Sequence, residues 1–294
     1  MKKTAILGLG LMGASLGLAL RRAGGEVTGY ARRAETRARA LSGGVCDRVV
    51  DDPAEAVADA DLCVVCVPVA STAELVRQAR PGMRPGLVLT DVGSTKAQLM
   101  REVPPLLPSS DIMFVGSHPM AGSEQQGIEA ARADLYRAAV VVVTPGPLSA
   151  SGMEAVEEVE AFWRRLEARV VRMDAADHDR AVARTSHLPH LAAALLSQVA
   201  GRAPVSDVVR ALCGSGVRDS TRIAAGSPGV WRDIVATNIE ALAGEWDVFM
   251  EQALPWQEAL KTRDIDRIEA LLQEGCRARE GLCGSGGNPG GEGA

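Results

Sequence analysis

One histidine lies among small and turn-forming residues, in the stretch Val115-Gly116-Ser117-His118-Pro119-Met120-Ala121-Gly122. An imidazole with an unperturbed pKa of about 6.5 can accept the proton of a hydroxyl group near neutral pH. The apolar run 112–115 predicts a strand, which places His118 at the carboxyl end of a sheet, where ligands bind in open α/β folds. We therefore predict that His118 is a catalytic base; a purely structural histidine is the alternative.

A glycine motif near the N-terminus predicts a nucleotide site. The predicted strand 4–7 leads into Gly8-Leu9-Gly10-Leu11-Met12-Gly13, and a predicted helix follows. The first glycine permits a tight turn, the second lets the backbone approach a pyrophosphate, and the third lets the helix pack closely on the strand. The helix N-terminus also favours phosphate. We predict a dinucleotide cofactor bound by Gly8, Gly10, Leu11, Met12 and Gly13; a glycine-rich turn without a ligand is the alternative.

The end of the second predicted strand bears on which dinucleotide is bound. An NAD enzyme usually has Asp or Glu there, to bind the ribose 2′-hydroxyl. This chain has Ala31-Arg32-Arg33, and guanidinium groups attract a 2′-phosphate that a carboxylate would repel. We predict a preference for NADP, with NAD or dual use as alternatives if the arginines only begin a solvated helix. Val67 and Pro68, at the end of the predicted strand 62–67, complete the predicted cofactor site.

A second polar segment is expected at the same sheet edge. Asp91-Val92-Gly93-Ser94-Thr95-Lys96 follows the predicted strand 87–90. Ser94 can bond the imidazole, a substrate hydroxyl or the nicotinamide, and we predict that it assists His118. A helix N-cap is the alternative role for a serine in this position.

The second half of the chain supplies candidate substrate contacts. Ser186-His187-Leu188-Pro189-His190 holds two histidines three residues apart, with no third metal ligand evident, so we predict contact with an anionic substrate and no metal site. Arg222, after Gly214-Ser215-Gly216, is the natural partner of a carboxylate, the alternative being a surface arginine. Asp177-His178-Asp179 is interpreted as the acidic start of a helix, because adjacent helical residues diverge.

The composition excludes several classes of protein. The chain has 294 residues, 47% of them hydrophobic, and a net charge of -5, which suits two domains without a basic nucleic-acid footprint. Aromatic residues make up 3%, too few for a base-stacking platform. No window reaches the roughly 18 apolar residues of a membrane span, and no signal peptide is evident, so we expect a cytoplasmic protein. Cys63 and Cys66 are interpreted as core residues of a strand.

The order of the predicted elements indicates an α/β fold. Strands at 4–7, 27–30, 62–67, 87–90, 112–115, 139–144 and 169–173 alternate with helices, which predicts an N-terminal Rossmann-type, doubly wound parallel sheet over residues 1–173. Helical patterns alone follow, at 176–185, 188–200, 206–212, 231–252 and 264–280. We predict an all-α substrate and dimerisation domain over 174–282, with the apolar face of 234–248 at a dimer interface or in the core. The Gly-rich tail 283–294 is expected to be disordered.

These motifs together resemble the prephenate and arogenate dehydrogenases of tyrosine biosynthesis over about residues 3–280. The specific matches are the His-Pro-Met-Ala-Gly string at His118 and the Ser-His-Leu-Pro-His string at 186–190, with Gly216-Val217-Arg218-Asp219-Ser220-Thr221-Arg222 beside them. The resemblance implies oxidative decarboxylation of prephenate to 4-hydroxyphenylpyruvate, with hydride transfer to NAD(P)+ and proton acceptance by His118. It does not decide between prephenate and arogenate.

The resemblance also implies roles for individual residues. Ser94 orients His118 or the substrate hydroxyl, Arg222 and His190 contact substrate carboxylates, and Ser123 and Glu124 line the mouth of the site. Ser186, Asp219 and Trp231 belong to the same expected substrate site, and Trp231 matches a position that can reach a partner's site. The family commonly forms homodimers through its helical domain. Because we find no segment for a regulatory amino-acid-binding domain, we expect any inhibition by tyrosine to act at the active site.

Two other functions compete with this interpretation. The 3-hydroxyacid dehydrogenases share a similar glycine motif and a helical second domain, but they use a catalytic lysine there, and this chain has no lysine between Lys96 and Lys261. A nucleotide-sensing regulator would bind the cofactor without needing a base, which leaves His118 and Arg222 unexplained.

Overall fold

The computed structural model describes residues 2–122, 125, 127–146, 150–202 and 206–283. The chain divides into two compact units, Met1–Leu242 and Ala243–Ala294. The first unit contains a sheet with its helices and the first helices of the predicted all-α domain. The predicted disordered tail falls almost entirely on residues 284–294, outside the described residues.

The sheet has eight strands in the order β3-β2-β1-β4-β5-β6-β7-β8. Their bounds are β1 Thr4–Leu7, β2 Val27–Tyr30, β3 Arg48–Val50, β4 Leu62–Val65, β5 Val88–Asp91, β6 Met113–Pro119, β7 Val140–Thr144 and β8 Arg169–Arg172. The Rossmann-type arrangement is confirmed, because β1 to β6 pair in parallel. The sheet departs from parallel pairing at one edge only, where β7 is antiparallel to β6 and parallel to β8.

The helices of the sheet region are α1 Leu11–Arg22, α2 Ala34–Ser42, α3 Pro53–Val57, α4 Val69–Ala79, α5 Ala97–Glu102 and α6 Ala150–Arg165. They cover both faces of the sheet, so that β1, β4 and β5 are buried at every residue. Two apolar cores result, one on each face. Burial on both faces explains why these strands appear in the sequence as continuous apolar runs. The short β3 was not predicted, because its first two residues are exposed and partly exposed.

The later helices are α7 Ala175–Val182, α8 Leu188–Ala200, α9 Asp207–Ala211, α10 Ser215–Thr221, α11 Pro228–Thr237, α12 Ile239–Thr262 and α13 Ile265–Cys283. A π-helix, Ala183–His187, joins α7 to α8. Among the described residues no strand follows β8, which confirms the predicted change to a helical region. The single helix predicted over 231–252 is instead two helices, separated at Asn238, whose backbone leaves the helical conformation (φ -135, ψ 28).

Cys63 and Cys66 follow the predicted geometry of a strand. Cys63 packs in the core on one face of the sheet and Cys66 in the core on the other. Both thiols are free. Burial raises the pKa of Cys63 to about 12 and also raises the pKa of Cys66, so neither is a reactive thiolate at neutral pH. No helix in the described part of the chain is long and apolar enough to cross a membrane.

Candidate active site

The glycine turn between β1 and α1 has the geometry that a bound pyrophosphate requires. Gly8 has a φ of 109, and a Cβ there would lie 2.5 Å from the carbonyl oxygen of Cys66. A Cβ on Gly13 would overlap the carbonyl oxygen of Gly8, so glycine is required where α1 packs on the turn. Gly10, by contrast, has no atom within 4 Å of a Cβ position, and it begins α1 without a side-chain cap. The free backbone N–H groups at the N-terminus of α1 therefore face open space, which is the arrangement that binds a phosphate group.

This turn forms one wall of a cleft of about 510 Å³, which we call the cofactor cleft. Seven of the ten residues predicted to bind the cofactor line it: Gly8, Gly10, Ala31, Arg32, Arg33, Val67 and Pro68. Leu11 and Met12 line an adjoining cleft of about 280 Å³. Gly13 lines neither cleft, and it contributes by letting α1 pack closely against the turn. The structure therefore brings the predicted cofactor residues together.

Basic side chains lie at one end of the cofactor cleft. Arg32 and Arg33 are exposed, and within the described ranges neither forms an ion pair. Arg39, which was not predicted, also lines the cleft and pairs with Glu35 at 2.6 Å and with Glu129. Ala31 is buried where an acidic residue would bind a ribose diol. This end of the cleft thus offers two unpaired guanidinium groups.

The adjoining cleft joins the cofactor turn to the helical region. Ser94 lines it with Leu11 and Met12, and Val230 and Ile234 contribute from α11. Ser94 is not the N-cap of α5, a position that Lys96 occupies. It does not bond the His118 Nδ1 atom either, because that atom is bonded to His178. The structure thus supports neither of these two roles for Ser94, and it places the residue in the lining of the adjoining cleft. Ile234 is buried, so the predicted apolar face 234–248 is not wholly available for a dimer interface.

His118 lies within β6 and not in the loop that the sequence predicts after residue 115. The strand continues to Pro119 because β7 pairs with it in antiparallel register, His118 opposite Val142. The side chain is 7% exposed. The pairing with β7 holds the backbone of His118 in place.

A chain of hydrogen bonds runs from His118 into α7. His118 Nδ1 lies 2.8 Å from Nε2 of His178, whose Nδ1 lies 2.8 Å from Oδ1 of Asp179. Asp179 also accepts the backbone N–H groups of Lys96 at 2.7 Å and Ala97 at 2.8 Å. A carboxylate accepts, so His178 carries its proton on Nδ1 and accepts at Nε2. His118 then donates from Nδ1, which leaves its Nε2 as the basic nitrogen.

A buried ion pair supports the strand beside His118. Lys96 and Asp91 are fully buried and paired, and Lys96 Nζ also donates to the carbonyl oxygen of Ser117 at 2.9 Å. Asp91 Oδ1 accepts the Ser117 N–H at 3.0 Å. Burial lowers the pKa of Lys96, and the Asp91 carboxylate opposes that shift. Both partners thus fix the backbone of Ser117, the residue before His118.

All four histidines of the chain belong to one cluster, which we call the histidine cluster. Asn238 joins its two halves: its side-chain nitrogen donates to the carbonyl oxygen of Asp179 at 2.8 Å and lies 3.2 Å from His187 Nδ1. His187 meets Trp231 edge to face, with ring centroids 5.9 Å apart. His190 stacks on the same indole at 3.4 Å. The break between α11 and α12 at Asn238 is therefore part of the site.

Burial favours the neutral form of His118, His187 and His190. It lowers the pKa of His118 well below 6.5, and the charges of His178, Lys96 and His187 act in the same direction. It lowers the pKa of His187 to about 4, against the opposing charge of Asp179, and lowers that of His190 as well. His118 is consequently unprotonated at neutral pH, which is the state that a base requires.

The remaining predicted substrate residues lie in several places. Ser186 is partly buried in the π-helix, and Asp219 is exposed on α10. Arg222 is exposed and has no ion-pair partner among the residues described. It begins the 3-10 helix Arg222–Ala225, which packs against α8, the helix of His190. Ser123 and Glu124 lie outside the described residues.

Sequence reasoning missed His178 and Asp179. The acidic helix start that it proposed is present, since Asp174 caps α7 through the N–H groups of Ala176 and Asp177. The sequence does contain a signal that His178 and Asp179 face the interior. The apolar residues Val182 and Ala183 follow them by four positions, on the same helix face, and both are buried. No group of three potential ligand residues in the described ranges could hold a metal ion.

Comparison with known proteins identifies the family of this chain. The family model of the prephenate dehydrogenase nucleotide-binding domain matches residues 16–172, and that of the prephenate dehydrogenase dimerization domain matches residues 174–274. The cyclohexadienyl dehydrogenase of Zymomonas mobilis is 34% identical over 96% of this chain and 96% of its own length. The prephenate dehydrogenase of Bacillus subtilis is 32% identical over 96% of this chain and 76% of its own length.

A solved structure extends the similarity to three dimensions. Prephenate dehydrogenase from Aquifex aeolicus, in complex with hydroxyphenyl propionate and NAD+, superposes with a TM-score of 0.86 at 28% identity, covering 96% of this chain and 98% of that chain. The fold of this chain is therefore similar to that of a prephenate dehydrogenase over nearly its whole length. This chain is a nicotinamide-dependent oxidoreductase, and it belongs to the prephenate dehydrogenase family.

Proposed function

We propose that this chain oxidises and decarboxylates prephenate to 4-hydroxyphenylpyruvate. The observation that carries the proposal is the geometry of His118: it is buried, and its Nδ1 is engaged by His178, which leaves Nε2 as the basic nitrogen. Burial also lowers the pKa of His118, which favours the unprotonated base. Prephenate has a ring hydroxyl whose proton such a base can accept. It also has two carboxylates, for which Arg222 and His190 are the proposed partners.

The residues divide the chemistry as follows. His118 Nε2 accepts the hydroxyl proton while the carbinol carbon loses a hydride. The bound nicotinamide supplies the hydride acceptor. The bond to the ring carboxylate then breaks, its electron pair enters the ring, and carbon dioxide leaves. The ring becomes aromatic, and the oxygen recovers a proton from His118, so the base ends the cycle in its starting state.

Ser94 is proposed to contact the substrate hydroxyl or the nicotinamide. Its support is its place in the adjoining cleft, between Met12 of the cofactor turn and Ile234 of α11. Ser123, Glu124, Ser186, Asp219 and Trp231 remain predicted substrate residues. Trp231 has the further support of its contacts with His187 and His190, which place it within the histidine cluster.

NADP is proposed as the preferred cofactor. The support is the pair of guanidinium groups of Arg32 and Arg33 at one end of the cofactor cleft, which form no ion pair with the residues that the structure describes, beside Ala31 in place of an acid. A 2′-phosphate there would gain charge-assisted hydrogen bonds. NAD would find no carboxylate at position 31 for its ribose diol.

A homodimer through the helical region is proposed as well. The dimerization-domain model covers residues 174–274. In the second compact unit, apolar side chains are exposed along α12 and α13, namely Val248, Phe249, Met250, Leu254, Leu260, Ile265 and Leu272. These exposed side chains support the proposal that the two helices carry an interaction surface. A cytoplasmic location stays a prediction.

The test compares prephenate and arogenate, each with NAD and NADP, by following cofactor reduction and product. We expect the highest kcat/KM with prephenate and NADP, and 4-hydroxyphenylpyruvate as the product. Arogenate carries an ammonium group in place of the keto group, so a higher kcat/KM with arogenate would make it the substrate. Tight cofactor binding without turnover of either substrate would contradict the proposal and favour a nucleotide sensor; turnover of a 3-hydroxyacid would assign a different class.

A further inference from the structure

The proposed function uses the bond between His178 and His118 and gives no role to Asp179, although Asp179 is bonded to His178. Both are buried, with side chains 1% and 6% exposed. Resting on the proposed function, we infer that they are positioning residues: Asp179 fixes the tautomer of His178, and His178 in turn fixes the tautomer of His118.

Backbone hydrogen bonds fix the carboxylate of Asp179. Its Oδ1 accepts from Lys96 N and faces His178 Nδ1, while its Oδ2 accepts from Ala97 N. Because each carboxylate oxygen accepts from a backbone N–H group, the orientation of the carboxylate is fixed. The carboxylate therefore presents a fixed acceptor to His178, so the proton of His178 stays on Nδ1 and its Nε2 is the acceptor toward His118.

The position of the proton on His118 determines which of its ring nitrogens is basic. A neutral imidazole has one N–H and one lone pair, so donation from His118 Nδ1 makes Nε2 the only nitrogen that can accept a proton. If the chain of bonds ran in the opposite sense, His118 would carry its proton on Nε2 and could not act as a base. The direction of both bonds is set by the single acceptor at the end of the chain, Asp179.

The Asp179 carboxylate also bears on the positive charge that forms on His118 during the reaction. When His118 accepts the hydroxyl proton, a cation forms at a buried position that disfavours it, as the lowered pKa of His118 shows. The His178 ring bridges that cation to the Asp179 carboxylate through two bonds of 2.8 Å each. The carboxylate thus offsets part of the cost of the buried cation in the transition state.

The first test replaces Asp179 by Asn, with Asp177→Asn as the matched control. Asp177 is an exposed acid on the same helix, and its ion pair with Arg180 lies outside the cluster. An amide cannot accept both backbone donors and also the His178 proton, so the tautomers can reverse. We expect kcat to fall by about 100-fold or more, with KM and the cofactor Kd within about threefold of the unmodified protein. The control should keep kcat, and an Asp179→Asn variant with unchanged kcat would overturn the proposal.

The second test separates tautomer control from packing. His178→Gln keeps an acceptor for the His118 N–H, whereas His178→Leu fills the space without one. We expect the Gln variant to keep kcat within about tenfold and the Leu variant to lose about 100-fold or more. Equal losses in both variants would show that His178 only packs against His118.

A third measurement does not depend on turnover. Nitrogen-15 NMR of the unmodified protein should show both His118 and His178 as Nδ1–H tautomers, and Asp179→Asn should change that pattern. An Nε2–H tautomer at His118 would overturn the inference. If these tautomers are found but prephenate is not turned over, the proposed function fails and the positioning arrangement stands.

Discussion

The cofactor cleft and the histidine cluster are built in different ways. Backbone forms the centre of the cleft: three glycines within a six-residue turn bring α1 against β1 and leave open space at the helix N-terminus. Side chains form the cluster, and its first bond joins residues 60 positions apart in the sequence. A site formed by the backbone of neighbouring residues therefore depends on a local motif. A site formed by side chains from distant segments depends on the completed fold.

The two regions also use charge differently. The cleft presents exposed guanidinium groups, which remain charged and can bind an anion at a solvated edge. The cluster is buried, and burial keeps His118, His187 and His190 neutral at pH 7. An anion in the cleft would bind to guanidinium groups that are already charged. His118, by contrast, must be uncharged before it accepts the proton of the substrate hydroxyl.

His118→Asn should break the chemistry of the cluster and leave the cleft intact. We expect turnover to fall by about 10²–10⁴-fold, the usual contribution of a general base. Cofactor affinity, measured by fluorescence titration, should not change, because His118 does not line the cofactor cleft. Near-normal turnover would remove His118 from the mechanism.

Arg222→Ala tests whether the substrate side of the cluster extends to the 3-10 helix. Loss of a charge-assisted bond to a carboxylate should cost about 2–5 kcal/mol, seen as a large increase in KM for prephenate. Arg218→Ala, an exposed arginine on the preceding α10, is the control. If KM is the same in both variants, Arg222 is a surface residue.

Gly13→Ala should break the cleft through its backbone and leave the imidazoles untouched. A Cβ at position 13 overlaps the Gly8 carbonyl oxygen, so we expect the free energy of unfolding to fall by about 3 kcal/mol, at the upper end for overpacking. The matched variant Gly10→Ala has open space around the new methyl group. It should fold normally and bind cofactor less tightly, because the methyl group takes the place of the pyrophosphate. Equal thermal stability of the two variants would contradict this account of the turn.

The double variant Ala31→Asp with Arg32→Gln sharpens the interpretation of the cleft. Each lost charged contact is worth roughly 1.5–3 kcal/mol, so the ratio of kcat/KM for NADP to that for NAD should fall about tenfold or more. The unmodified protein should favour NADP. A clear preference for NAD in the unmodified protein would mean that Arg32 and Arg33 only face solvent, without affecting the assignment of His118.

The sequence predicted those parts of the molecule whose causes are local. The apolar runs identified seven of the eight strands, and the glycine spacing identified the turn with its neighbours at positions 31–33 and 67–68. His118 was identified from the small residues around it. Each of these features depends on residues within a few positions of one another.

The rest depends on contacts between distant segments. β7 reverses the direction of the sheet edge and extends β6 to Pro119, which no local pattern in 112–119 reveals. Asn238 interrupts a continuous helical pattern because its side chain bonds Asp179 and His187. Asp177 and Asp179 have the same side chain, and only tertiary packing makes one an exposed ion-pair partner and the other the anchor of the cluster.

The pH dependence of kcat/KM for prephenate tests the central claim most directly, that a buried, neutral His118 is the base. Protonation of a base abolishes activity as pH falls, and kcat/KM reports the pKa of the free enzyme. Because burial lowers the pKa of His118 well below 6.5, activity should persist through pH 6.5 and decline only at lower pH, and this decline should be absent from the residual activity of His118→Asn. An inflection at or above pH 6.5, or the same decline in His118→Asn, would contradict the account.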